Sequence, residues 1–231
     1  MKKQIISIIL AAIFLFLSCA CLVSCAPPEL AEVKDRLVWL IETAKPINDV
    51  LYGDGLLSVY DIYGFDDEYN SWFEGEDHYF YYSEIVESYR DENGDIVEQK
   101  YDSVQSIKDD AAKVYSSSYM QKINQTFFID DYEGGHRAKY FEVTDDGGEK
   151  RFCKYNYSEP YITEENPATI YDYDTMEIVV PSSGTTLIVE LQGYNEKYFD
   201  PETGDIGSGW HKVTLQFILE GGQWFLDGPS Y

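Results

Sequence analysis

Few residues of this chain stand at spacings that carry chemistry, and each such group competes with a turn or a packing role. Asp91-Glu92-Asn93-Gly94-Asp95 clusters the oxygen donors that calcium prefers. An EF-hand loop puts ligands at positions one, three and five, glycine at six and glutamate at twelve. Counted from Asp91, Ile96 falls at six and Asp102 at twelve, and the glycine comes two places early. Asn-Gly between two strand-like runs is instead a hairpin signal. Asp200-Pro201-Glu202-Thr203-Gly204-Asp205 reads the same way, with Asp-Pro opening a loop and Gly near its end. Asp172 and Asp174 lie two apart in a strand-like run and so share a face, as the acids of a glycosidase pair would. With 42 acidic residues in 231, however, such pairs arise by chance, Glu164-Glu165 among them.

The other reactive side chains are sparse. His78, His136 and His211 are scattered, with no His-x-x-x-His pair for a metal. His211 alternates with apolar residues, which predicts a buried, hydrogen-bonded imidazole. Cys153 lies in the strand-like run Arg151-Phe152-Cys153-Lys154-Tyr155, away from any helix start or histidine that would lower its pKa. It reads as a buried, inert thiol. There is no Gly-x-Ser-x-Gly elbow, no Ser-x-x-Lys pair and no glycine-rich phosphate loop before a helix. No catalytic residue, metal site or cofactor is therefore expected. The segment from Asp66 to Asp77 offers a different kind of chemistry. Its aromatics Tyr69, Trp72 and Phe73 stand among Asp66, Asp67 and Glu74, and exposed aromatics among charges are typical anchors for a binding partner.

The elements that must position these groups follow from pattern. Leu30, Val33, Leu37, Leu40, Ile41, Ala44 and Ile47 recur at spacings of three and four, which predicts a helix over Glu29 to Leu51. Pro46 should kink or divide it, and Gly53-Asp54-Gly55 should end it. Residues 54–78 read as irregular, with loop or short strands around Gly75. His78 to Tyr89 favours strand by its aromatics and forms a hairpin with Ile96 to Tyr101 across Asn93-Gly94. Ser106, with Asp109 three residues on, marks the N-cap of a helix over Ile107 to Tyr115. One of Ser116, Ser117 and Ser118 caps a second, Tyr119 to Phe128.

After Asp130 the chain reads as antiparallel sheet: Arg137–Thr144 with Glu149–Tyr157, Met176–Val180 with Thr186–Tyr194, and Trp210–Glu220 with Gln223–Leu226. In the clearest strand His211, Val213, Leu215, Phe217 and Leu219 face one way, while Trp210, Lys212, Thr214, Gln216 and Ile218 face the other. That is a sheet with one packed and one wet face, and the helices must cover the packed one. The fold class is α+β, with N-terminal helices packed on a curved antiparallel sheet.

The N-terminus carries an address. Lys2 and Lys3 precede an apolar run from Ile5 to Leu17, and Leu22-Val23-Ser24-Cys25 closes it. The arrangement is that of an export signal peptide, and its ending resembles a bacterial lipobox. In lipoproteins of this pattern the cysteine is diacylated and the chain is cut just before it. Residues 1–24 are then a lipoprotein signal peptide, 25–29 a lipidated tether and 30–231 a single α+β domain. The membrane anchor is lipid on Cys25, not a spanning helix, and the location is the extracytoplasmic face of the cell membrane.

Charge narrows the partners. The chain has 17 Lys+Arg and 42 Asp+Glu; removing residues 1–24 takes away two lysines and no acid, leaving a formal charge of −27. Nucleic acid and anionic lipid headgroups both require cationic surface, so neither is expected as a partner. A basic protein is. The 21 Tyr, 12 Phe and 4 Trp supply the buried area that so acidic a chain needs to fold. Only Cys153 is left after the signal and lipidation residues are set aside, so no intrachain disulfide is available.

Two resemblances add to this. Ser106-Ile107-Lys108-Asp109-Asp110-Ala111-Ala112-Lys113-Val114-Tyr115, then Ser118-Tyr119, and the ending Gly221-Gly222-Gln223-Trp224-Phe225-Leu226-Asp227-Gly228-Pro229-Ser230-Tyr231 resemble cell-envelope lipoproteins of Gram-positive bacteria similar to the IseA family. The IseA family inhibits DL-endopeptidases. That resemblance implies a non-enzymatic surface binding protein that blocks a peptidoglycan hydrolase. Helices first, then long antiparallel strands ending in a Trp-containing strand after a Gly-rich turn, are similar to NTF2-like domains. That architecture implies a small-ligand-binding domain, with or without enzymatic activity.

Overall fold

The computed structural model describes residues 26–63, 70–74, 79–91, 93–130, 138–144, 147–156, 169–199 and 206–230. The first helix, α1, spans Leu30–Leu51. Glu29 and Glu32 close its start as a reciprocal capping box. The spacing of its apolar residues turns Val33, Leu37, Leu40, Ile41, Ala44 and Ile47 into one buried stripe. The expected division at Pro46 does not occur, and the helix runs through it. Proline removes one hydrogen bond there, but Ile47, Asn48, Val50 and Leu51 beyond it are all buried and hold the last turn in register. After Gly53-Asp54-Gly55 a short helix, α2 (Val59–Tyr63), replaces the irregular structure expected. Its cause is local. The Asp61 carboxylate accepts from both the amide (2.7 Å) and the hydroxyl (2.8 Å) of Ser58, a cap the sequence reading passed over.

Among the described residues ten strands follow, and the single curved sheet expected is three sheets. Strands β1 (Asn70–Glu74), β2 (Tyr79–Glu84), β5 (Tyr140–Thr144) and β6 (Lys150–Asn156) form one antiparallel sheet in the order β1-β2-β6-β5. Strands β7 (Ile170–Val179), β8 (Thr186–Phe199), β9 (Ile206–Glu220) and β10 (Gln223–Leu226) form the other in the order β10-β9-β8-β7. Strands β3 (Ser88–Arg90) and β4 (Ile96–Glu98) make the hairpin predicted at Asn93-Gly94. The run from His78 to Tyr89 is not one strand. Ile85, whose amide still donates to the Phe152 carbonyl of β6 (2.8 Å), bridges Ser58, and beyond it the Gln99 side chain binds the Leu57 backbone and the Val86 carbonyl.

The helices between the sheets also differ in their ends. Helix α3 is Val104–Ala111, and its N-cap is Ser103, with Ser106 as its capping-box partner rather than the cap itself. Asp109, read as the mark of a cap, binds Gln105 instead. The helix stops at Ala111 because Val114–Ser116 are needed elsewhere. They pair with Leu226, whose amide donates to the Val114 carbonyl (2.9 Å) and whose carbonyl accepts from Ser116 (2.7 Å). Helix α4 is Ser117–Phe128, capped by Ser116 as expected. Part of the open edge of β10 is thus covered by this segment, and Arg36 of α1 covers another part by donating twice to the Trp224 carbonyl.

One continuous core joins all layers. It runs from α1 through Ile107, Ile123 and Phe127 to Leu187, Val189, Leu191, Leu215 and Phe217 on the C-terminal sheet, and to Tyr140 and Phe152 on the first. α1 packs on β10 and β7, while α3 and α4 pack on β5. Leu215 and Phe217 are buried, and Trp210, Lys212, Thr214 and Gln216 are exposed, as the alternation requires. The fold is α+β, with N-terminal helices on antiparallel sheet.

Candidate functional site

Of the residues singled out for partner contact, Asp66, Asp67 and Tyr69 lie outside the described residues, as does the lipidation residue Cys25. Trp72, Phe73 and Glu74 lie on β1, opposite Tyr81, Phe80 and Tyr79 of β2. β1 ends the strand order of its sheet. His78, His136, Glu164, Glu165 and Asp200 to Asp205 lie outside the described residues. The strands flanking Asp200 to Asp205 pair antiparallel at Phe199 and Ile206.

The remaining candidates resolve as follows. The Asp91 carboxylate accepts from the amides of Asn93 (3.0 Å) and Asp95 (2.9 Å), so it serves its own turn. Asp172 accepts from the Asp174 amide, and Asp174 extends into solvent 3.7 Å from Lys34. Cys153 is buried on β6, and burial, aided by Glu84, pushes its thiol up to about 12. Such a thiol is inert at neutral pH. His211 is half-buried on the packed side of β9. Among the described residues no three of His, Cys, Asp and Glu gather to hold a metal ion.

One cluster of ionisable groups escaped the sequence reading because its members are far apart in the chain. Ser83, Lys154 and Tyr140 form a row across β2, β6 and β5. Lys154 is buried and meets Asp61 at 2.7 Å. Burial alone would raise the Asp61 carboxyl, but Lys154 and Ser58 outweigh it and hold it below its usual range. The Tyr140 hydroxyl donates to the Val50 carbonyl (3.0 Å) and accepts from the Leu56 amide (2.8 Å). Lys139 donates to the carbonyls of Leu51 (3.2 Å) and Gly53 (2.6 Å), where the helix dipole favours a cation. Gly55, at φ +79°, makes room: a Cβ there would lie 2.2 Å from the Tyr140 hydroxyl. The cluster clamps the end of α1 to the first sheet, and its hydrogen bonds are made within the fold.

It also has a pH signature. Burial pushes the Lys139 ammonium down to about 7, with Lys154 adding to the shift and Asp54 opposing it. The unfolded lysine keeps its proton to about pH 10.4, so between these values the unfolded state binds more protons than the folded one. Stability should therefore rise with pH through that window. Denaturant melts at about pH 7 and about pH 9.5 should show this rise in the native protein and a smaller one in Lys139→Met. Equal slopes in the two would contradict the assignment.

The wet face of the C-terminal sheet is the second arrangement of note. Ile170, Tyr194 and Trp210 stand in one row across β7, β8 and β9. Trp210 is 57% exposed and Ile170 61%, and the Tyr194 and Trp210 rings lie 5.6 Å apart. The next row is Asp172, Gln192 and Lys212, and beyond the irregularity of β7 comes Glu177, Glu190 and Thr214. Lys212 pairs with Glu190 at 2.6 Å. An apolar anchor beside three acids and one lysine is thus displayed on a rigid sheet. The signal for it was present in the sequence: Trp210 falls on the polar side of the clearest alternating strand.

No known protein family and no curated protein matches the chain. Among the described residues, no helix is long and apolar enough to cross a membrane.

Proposed function

We propose that this chain is a lipoprotein held by lipid on Cys25 at the extracytoplasmic face of the cell membrane, where it acts as a non-enzymatic binding protein. Its partner is a basic cell-wall hydrolase, and binding blocks that enzyme, in the manner the resemblance to DL-endopeptidase inhibitors implies. The observation that carries this reading is the exposed row of Ile170, Tyr194 and Trp210 beside Asp172, Glu177 and Glu190. Aromatic anchors supply contact energy, and an acidic surround steers a cationic partner into place. The formal charge of −27 after removal of residues 1–24 extends that steering over the whole molecule.

Two measurements test it. Cys25→Ser should abolish acylation and release the protein from the membrane fraction; a native protein with no lipid on Cys25 would overturn the anchor. The chain beginning at Ala26 should slow a DL-endopeptidase digesting peptidoglycan while hydrolysing nothing itself, and added salt should lower its association rate. Trp72→Ala and Trp210→Ala, compared in the same assay, assign the contact to β1 or to the wet face of the C-terminal sheet. Failure to inhibit any wall hydrolase, together with a small molecule bound inside the domain, would favour the NTF2-like alternative.

A further inference from the structure

The packed face of the C-terminal sheet changes character at one end. Thr169, just before β7, and Tyr171 on it are 2% and 7% exposed. The register places Tyr171 beside Gly193 of β8, and Gly193 beside His211 of β9. One step further along, Asn195 pairs with Gly209. Side chains close over Gly193 because it has none: a Cβ there would meet Thr169 Cγ2 and Val213 Cγ2 at 2.7 Å and Tyr171 Cε1 at 3.7 Å. These groups therefore sit together. Thr169 Oγ1, the Tyr171 hydroxyl and Asn195 Oδ1 are buried; the first two lie close enough to interact with each other, but none of the three makes a well-formed hydrogen bond among the described residues.

Buried polar atoms nearly always make well-formed hydrogen bonds, so three that do not, at one end of one face, need an explanation. Gly209 supplies the space for one. A Cβ built on it meets nothing within 4 Å, and it lies opposite Asn195. The charges nearest Tyr171 cancel. Lys45 of α1 lies 5.6 Å from its ring and pairs with Glu42 at 2.7 Å, and Glu42 also accepts from Tyr173. What remains to meet a ligand is two hydroxyls and an amide, with an imidazole beside them.

We propose that Thr169, Tyr171 and Asn195, with His211 beside them and Gly209 at the opening, bind a small neutral molecule rich in hydroxyl or amide groups, of the sugar or amide class. Hydroxyls and a carboxamide both donate and accept, so they match such a ligand. An anion or a cation would find no unpaired opposite charge among these groups. The site lies on the face opposite the Trp210 row, so it is independent of the partner-binding reading, and either can fail alone.

The test uses the full mature chain with glucose, N-acetylglucosamine and acetamide as probes, read by NMR at the Asn195 side-chain amide and the Tyr171 ring. At least one probe should shift both signals saturably. Gly209→Val, which fills the opening, should weaken binding by about tenfold or more. Tyr171→Phe should also weaken it, while raising the Tm of the ligand-free protein by removing a buried hydroxyl that lacks a well-formed hydrogen bond. Should Gly209→Val fail to fold, Tyr171→Phe carries the test alone. The proposal is overturned if no probe shifts these signals, if binding is indifferent to Tyr171→Phe, or if ordered water satisfies the three atoms and no probe displaces it.

Discussion

Phe217→Ala should destabilise the fold by about 3–5 kcal/mol, measured as the loss of unfolding free energy in denaturant melts. Phe217 is fully buried near the C-terminal end of β9, between Leu215 and Leu219 on the packed face. It pairs with Leu187 of β8 and Leu226 of β10, so its ring fills the middle of the sheet side of the core. Truncation removes the ring's transfer energy and leaves a cavity that α1 cannot collapse into. Thr214→Ala, exposed on the same strand, should cost roughly 0.5 kcal/mol or less. Gln216 is the poorer control. It is exposed, as the alternation predicts, but its side chain donates to Asp227 at 3.0 Å. Asp227 in turn accepts from Ser116 and Ser118 at the start of α4. Gln216→Ala should therefore cost about 0.5–1.5 kcal/mol. Equal losses from Phe217→Ala and Thr214→Ala would refute the orientation of β9.

Asp61→Ala should cost about 3 kcal/mol or more, through a different mechanism. It leaves the Lys154 ammonium buried without its partner at 2.7 Å, and it strips the cap that the Ser58 amide and hydroxyl make with the carboxylate. A buried charge that loses its partner costs far more than the pair contributes when intact. The double change Asp61→Leu with Lys154→Met should recover a large part of the loss, since it removes both charges and replaces them with apolar side chains. The loss should also show locally. Ser58 bridges Ile85 and so ties α2 to the first sheet, and amide exchange should quicken first in that segment. A double variant no more stable than Asp61→Ala would show that the cost lies in the cap and not in the unpaired ammonium.

Much of this molecule was legible along the chain, and the reason is range. The stripe on α1, the alternation of β9, the turn at Asn93-Gly94 and the serine cap of α4 depend on residues a few positions apart, where periodicity and local hydrogen bonding decide the outcome. The misreadings share the opposite cause. Pro46 did not divide α1, because residues beyond it are buried against distant parts of the chain. α3 ended at Ala111, because Tyr115 and its neighbours were claimed by Leu226, more than a hundred residues away. His78 to Tyr89 was cut at Ile85 by contacts with Ser58 and Gln99. In each case a tertiary contact outweighed a local preference of smaller size.

The same division holds for the sites. The order and type of most elements, the α+β class, the inert Cys153 and the turn role of Asp91 were determined by the sequence itself, since each rests on neighbours within one strand, helix or loop. Only the tertiary structure could decide that Lys139, Lys154, Asp61 and Tyr140 clamp the end of α1, that Ile170, Tyr194 and Trp210 make one exposed row, and that Thr169 and Tyr171 close over Gly193, two positions before Asn195 on β8. Such groups come from two to four separate strands and helices. Their meeting is set by sheet register, which depends on the packing of whole faces rather than on any spacing within a single segment.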